Sequence, residues 1–178
     1  MTPQFLRANL CFIHGTMTAS EGLLRAAISR AGDDLLGYFS HHLTEEAGHL
    51  AMLEEDLARL GVTDIIKFPA AAQLAGAQYY YIEHEHPAML LGYMAALECR
   101  PPSLDEVNAL EAEHGTLTCT RHHAIHDPYH GAELRAQIEK LDEGLRIRVA
   151  ENEAWTLHEI KTRVTPMIEW ASHHFLRH

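Results

Sequence analysis

The sequence predicts an all-α, single-domain bundle of about seven helices spanning residues 1–178. Three observations predict it. Helix-forming residues fill most of the chain, and β-like signals are confined to short pieces such as 62–68. Apolar residues recur at helical spacing in successive segments, each bounded by a capping or breaking residue. A length of 178 residues with an ordinary 47% apolar share fits one domain with a full core, and no linker or low-complexity stretch divides it.

From about residue 2 to 30, Phe5, Leu6, Leu10, Ile13, Met17, Leu24 and Ile28 recur at helical spacing. Gly32-Asp33 stops that helix and restarts the next, with Asp33 or Asp34 as its N-cap. The second helix runs to about residue 60 with Leu50, Leu53, Leu57 and Leu60 as its core stripe, and Gly61 ends it. A third covers about 70–86, and Pro87 opens a fourth that reaches about Cys99. Arg100-Pro101-Pro102 breaks the chain there, after which Ser103 and Glu106 read as a capping box for a fifth helix ending at His114-Gly115. A sixth covers about 116–141, and the last runs from about Asp142 to the C-terminus. Pro128 lies inside the sixth helix and directly follows Asp127, so that helix is expected to be kinked or locally unwound there.

A formal charge of −11 argues against nucleic acid and anionic membranes as partners, since both require basic patches. It leaves small anionic substrates open, because a bound metal reverses the field inside a pocket. Cys11, Cys99 and Cys119 share no CxxC spacing, which fits buried, inert thiols in a reducing compartment. The N-terminus lacks a signal-like apolar core and no stretch approaches a bilayer span, so the expected location is cytoplasmic.

The second unusual feature is the count of 15 histidines. Glu46-x-x-His49 sets a carboxylate and an imidazole one turn apart on a helix face, within reach of one metal. Alone this carries little weight, since Glu83–His86 and Glu111–His114 share the spacing. The triplet His123-x3-Asp127-x2-His130 is more informative, because a His–acid–His set at i, i+4 and i+7 is expected about 0.2 times by chance in this composition. It occurs twice, the other instance being His42–Glu46–His49. Two stripes rich in imidazole and carboxylate but without thiolate suit iron or manganese better than structural zinc. Glu98 ends an apolar helix, where a buried carboxylate needs a cation or a proton unless it reaches water beside Arg100.

The segments HHLTEEAGHLAMLEEDLARLG, HPAMLLGYMAALE and HHAIHDPYHGAEL resemble the metal-binding segments of the heme-oxygenase-like diiron oxidases and oxygenases. That family's order is an E-x2-H helix, a lone Glu on a later helix, then H-x3-D-x2-H. The likeness covers about residues 32–141. It implies the heme-oxygenase-like fold, often as a homodimer, and two iron ions, with manganese as an alternative. The implied ligands are Glu46, His49, Glu98, His123, Asp127 and His130. One iron would lie near Glu46, His49 and His130 or a close permutation, the other near His123, Asp127 and shared carboxylates. The implied activity is O2-dependent oxidation of a small amino-acid-like or fatty-acid-like molecule. The chain is compact for the group, which leaves less material for a lid.

Other histidines and the tyrosines have plainer readings. His42 reads more readily as a partly exposed residue packed on a neighbouring helix than as a ligand or a partner of Glu46. His122 and His126 lie off the His123 stripe, exposed or behind the ligands; His84 and His86 read as surface residues. His173, His174 and His178 form a tail cluster, and Tyr79, Tyr80, Tyr81 and Tyr93 read as packing residues. Rival functions are a metal- or ligand-binding protein without turnover, and a thiaminase-type hydrolase, for which neither Cys99 nor Cys119 is obviously placed. A ferritin-like bundle leaves the His123–Asp127–His130 stripe unexplained. A true heme oxygenase needs a proximal histidine near the N-terminus, where only His14 serves.

Overall fold

The computed structural model describes residues 1–174 and is helical throughout, with no strand among them. His178 of the expected tail cluster lies outside the described residues. The helices are α1 (Pro3–Arg30), α2 (Asp33–Glu45), α3 (His49–Arg59), α4 (Pro69–His84), α5 (Met89–Glu98), α6 (Leu104–His114), α7 (Thr118–Glu139), α8 (Glu143–Glu159) and α9 (Thr165–His174), with a π-helical turn, Ile160–Val164, joining the last two. None is long and apolar enough to cross a membrane.

Most ends follow from local chemistry. Thr2 Oγ1 accepts the Phe5 amide at 3.2 Å and Pro3 opens α1. Ser103 and Glu106 form a complete capping box on α6, and Gly61, at φ 76°, follows the end of α3. Asp33 and Asp34 are not caps: Gly32 holds that position, and the two acids lie in the first turn of α2, where they face the positive end of the helix dipole. The 62–68 segment is a loop pinned by buried Val62 and Phe68.

Two expectations about helix continuity are corrected. The second predicted helix is two, broken at Glu46-Ala47-Gly48, where Gly48 takes φ 94° and lets His49 restart as the first residue of α3. Of the kink or unwinding expected at Pro128, the unwinding does not occur: α7 runs as α-helix from Thr118 to Glu139. It is gripped on two sides, by α3 and by α5, and a Cβ on Gly131 would stand 3.4 Å from Cys99 Sγ. That close packing holds the backbone through a residue that cannot donate to the helix ladder.

The apolar α5 is the central rod, buried from Met89 to Ala96 and packed against α8, α7 and α4. Gly92 makes the α5–α8 approach possible, since a Cβ there would fall 2.2 Å from the Val149 carbonyl oxygen. Asn152 satisfies two buried acceptors along that seam, donating to Gln78 Oε1 at 2.8 Å and the Met89 carbonyl at 2.7 Å. On the other side α1 packs against α4, α9, α2 and α3, and contact between α3 and α7 closes the seam. The helix break, the C-terminal end of α5 and the middle of α7 meet inside this frame.

Candidate metal centre

Glu46 follows the last residue of α2, where the negative end of the helix dipole disfavours an anion. Its side chain is nonetheless mostly buried, and it is held by Ser20, whose hydroxyl donates to Oε2 at 3.0 Å, and by two imidazoles. His49 Nδ1 lies 3.3 Å from Glu46 Oε1 and His42 Nε2 lies 3.8 Å from the same oxygen. Burial alone would raise the Glu46 carboxyl; the close approach and charge of His49, then His42 and the Ser20 hydroxyl, outweigh it and hold the group down at about 2.

The α7 side is built from its N-terminus. Asp56 of α3 is fully buried and caps α7, its Oδ1 accepting the Thr118 amide at 2.9 Å and its Oδ2 the Cys119 amide at 2.8 Å. Arg59 pairs with the same carboxylate. One turn on, His123 Nδ1 lies 2.8 Å from the Cys119 carbonyl oxygen. A carbonyl only accepts, so Nδ1 carries the proton and the lone pair is left on Nε2. The His123 ring stands 4.9 Å from that of His49, and nitrogen and oxygen atoms of Glu46, His49 and His123 lie within 4.8 Å of one another.

Glu98 and Asp127 complete the inner cluster. Glu98 Oε1 lies 3.4 Å from His42 Nε2, while Oε2 is buried with no hydrogen-bond partner. His49 Nδ1 is likewise buried without a well-formed hydrogen bond. Asp127 is 5% exposed, and its carboxyl is pushed up to about 8 by burial and then by the charges of Glu98 and Glu46. Burial would lower His42, but its contact with Glu98 and the charges of Glu98, Glu46 and Glu45 raise it to about 9. The cluster closes the inner end of a cavity of about 540 Å³. Its walls are mostly carbon from α1 and α5, including Leu10, Ile13, Met17, Leu90 and Met94, with Asn9, Thr16 and Thr120 among them, and exposed Met1, Arg100 and Glu106 also line it.

The structure matches the crystal structure of a domain of unknown function with a heme oxygenase-like fold from Shewanella denitrificans OS217, with a TM-score of 0.73 and 17% identity over 96% of this chain and 78% of that one. This chain has the heme oxygenase-like fold. No family model and no curated protein matches the sequence.

Within this heme oxygenase-like bundle, Glu46, His49 and His123 converge, and Glu98 and Asp127 face the same cavity. His130 does not join them directly. Its Nε2 lies 3.4 Å from Glu45 Oε1 and its Nδ1 3.8 Å from Asp127 Oδ1. Thus Glu46 and His49 group with His123 rather than with His130. The reading of His42 as partly exposed is corrected: it is 2% exposed and stands between Glu46 and Glu98. The His42–Glu46–His49 spacing was the signal for it. His122 sits with its ring 4.7 Å from His49, His126 is exposed, and His84 is on the surface, whereas His86 is half-buried and accepts the Ala88 amide. Tyr93 is buried in the cavity wall, whereas Tyr79 and Tyr80 lie at the surface, Tyr79 against Gly22 and Tyr80 against His84. Sequence reading missed Glu45, which touches His41, His42 and His130, and Asp56, whose contacts to α7 span more than 60 residues and leave no local signal.

Proposed function

We propose that this protein is a non-heme diiron, O2-activating oxidoreductase acting on a small organic molecule. The observation that carries the reading is the inner cluster. Three carboxyl groups and three imidazoles meet in a mostly buried space, one carboxylate oxygen has no partner, and one acid keeps its proton to about pH 8. Buried acids so close together need cations or protons, and an all-nitrogen-and-oxygen donor set suits iron where the balancing cation is a metal. Glu46, His49 and His123 would hold one ion; Glu98, Asp127 and the adjacent His130 would hold the other. Bound there, two ferrous ions supply Lewis acidity and the electrons for O2 reduction.

The chain's own groups prepare that site. The Nδ1–H bond from His123 to the Cys119 carbonyl fixes the ring and aims its basic nitrogen away from its own helix backbone. His42 holds Glu46 and Glu98 together, and Ser20 orients the remaining oxygen of Glu46. The carbon walls exclude water and favour a fatty-acid-like over an amino-acid-like molecule. Tyr93, buried in that wall with its hydroxyl unpartnered, offers a hydrogen bond to a polar group of the bound molecule.

A thiaminase-type hydrolase would use a cysteine nucleophile, and Cys119 does line the cavity with Sγ 3.6 Å from His123 Nδ1. That nitrogen already carries its proton for the carbonyl and cannot serve as base. Burial, then the charges of Asp56, Glu46 and Asp127, push the thiol up to about 12. The pair therefore favours the oxidoreductase.

Protein produced with added iron should contain about two irons per chain, and Glu98→Ala or Asp127→Ala should lower that content. Mixing the ferrous protein with O2 should give a transient visible absorbance whose decay quickens with a fatty-acid-like substrate. Zinc or no metal in the isolated protein, or normal iron in both variants, would overturn the assignment.

A further inference from the structure

Beyond the inner cluster, a second set of ligand-type side chains lies on the outside of the same helices. His41, Glu45 and Glu133 bring nitrogen and oxygen atoms within 4.8 Å of one another, on α2 and α7. Glu45 is the hub: its Oε1 lies 3.3 Å from His41 Nε2 and 3.4 Å from His130 Nε2, so imidazoles from two helices meet one oxygen. His130 then faces both ways, Nε2 toward Glu45 and Nδ1 toward Asp127 of the inner cluster. Side-chain exposure falls along this row from 64% at His41 through 26% at Glu45 and 12% at His130 to 7% at Asp127.

We propose that His41, Glu45 and Glu133 form a surface site for a divalent transition-metal cation, and that it is the port through which metal reaches the inner cluster by way of His130. The physical case rests on the alternative route. A dication entering by the large cavity meets, between Glu106 at the rim and the inner cluster, walls that are mostly carbon with only scattered neutral polar groups such as Asn9, Thr16 and Thr120. The outer row offers a ligand at each step. His41 and Glu133 receive a partly hydrated ion, Glu45 shares it with His130, and rotation of the His130 ring passes it toward Asp127. Imidazole in the set selects manganese, iron or zinc over magnesium and calcium. The port rests on the two-metal reading for its destination, but its own ligands stand apart from that reading.

The test uses the full-length, metal-free chain and Mn2+, whose free ion is counted by electron paramagnetic resonance. The unsubstituted protein should show a weak, rapidly exchanging site in addition to tighter ones. The double variant His41→Ala/Glu133→Gln, which leaves every inner residue in place, should lose the weak site. Its tight sites should fill about tenfold more slowly at low Mn2+ while reaching the same final occupancy. The pair Glu98→Gln/His123→Ala should do the reverse, losing tight binding and keeping the weak site. Unchanged stoichiometry and filling rate in His41→Ala/Glu133→Gln would overturn the port and leave the inner assignment standing. Loss of the weak site in the absence of any tight site would uphold the outer ligands and sink the diiron reading.

Discussion

Asp127 and His42 each keep a proton in the folded, metal-free chain that the unfolded chain releases, and this sets a pH dependence of stability. Asp127 rises from 3.8 to about 8 and His42 from 6.5 to about 9. Over those windows the native state binds more protons, so the contribution of both groups falls as pH rises toward 9. Glu46 acts at the other end: held at about 2 against 4.5, it contributes stability above 4.5 that is lost as pH falls through 2. The urea midpoint of metal-free protein should accordingly be higher at pH 6 than at pH 9, and Asp127→Asn should remove part of that fall. A profile that is the same with and without the substitution would contradict the burial-driven shift. Asp56 makes a second prediction at this scale. It is fully buried, and Asp56→Ala leaves the Thr118 and Cys119 amides without their acceptor and Arg59 without its partner. The expected loss is about 3 kcal/mol in urea unfolding, with weaker metal binding because α7 carries His123 and Asp127.

At the scale of the helix, α7 carries a residue that its own ladder does not favour. Pro128 removes the amide that would bond the Ala124 carbonyl, yet packing against α3 and α5 keeps the helix continuous. Pro128→Ala should therefore raise stability, by about 1–3 kcal/mol once the lost rigidity of the unfolded chain is set against the regained bond. Slower amide exchange around residues 124–132 should accompany it; an unchanged or lower melting temperature would mean the proline is matched to a bend that α7 needs. The opposite case is the break between α2 and α3. Helical periodicity runs through 33–60 without interruption, and Gly48 looks tolerable inside a helix. The structure instead breaks at Gly48, whose φ of 94° lies outside the helical region, and Glu46 and His49 meet across the break 3.3 Å apart.

For the molecule as a whole, the distance between α5 and α8 decides where Glu98 stands. Gly92 lets the two backbones approach, and beyond it Glu153 of α8 ties the end of α5 to α7, accepting from Arg135 at 2.6 and 2.7 Å and from Arg100 at 3.2 Å. Gly92→Ala would press a methyl group on the Val149 carbonyl and should cost about 1–3 kcal/mol, lowering the melting temperature by several degrees. Iron content should drop with it, since α5 bears Glu98. Retained stability in this variant would show that the helices separate freely and that the site is not set by this contact.

By itself the sequence determined the helical class, most helix ends and the kinds of side chain available for a metal. Those are local matters: a capping box spans four residues, an apolar stripe repeats every turn, and Ser103, Glu106 and Gly61 behave as their neighbours dictate. The tertiary structure alone decided which groups meet. His42 is a buried link between two carboxylates, Glu45 a hub and Asp56 a cap only because helices far apart in the chain are packed together. Burial and charge act through space and not along the sequence, so neither the protonation of Asp127 nor the outward turn of His130 is written in any spacing.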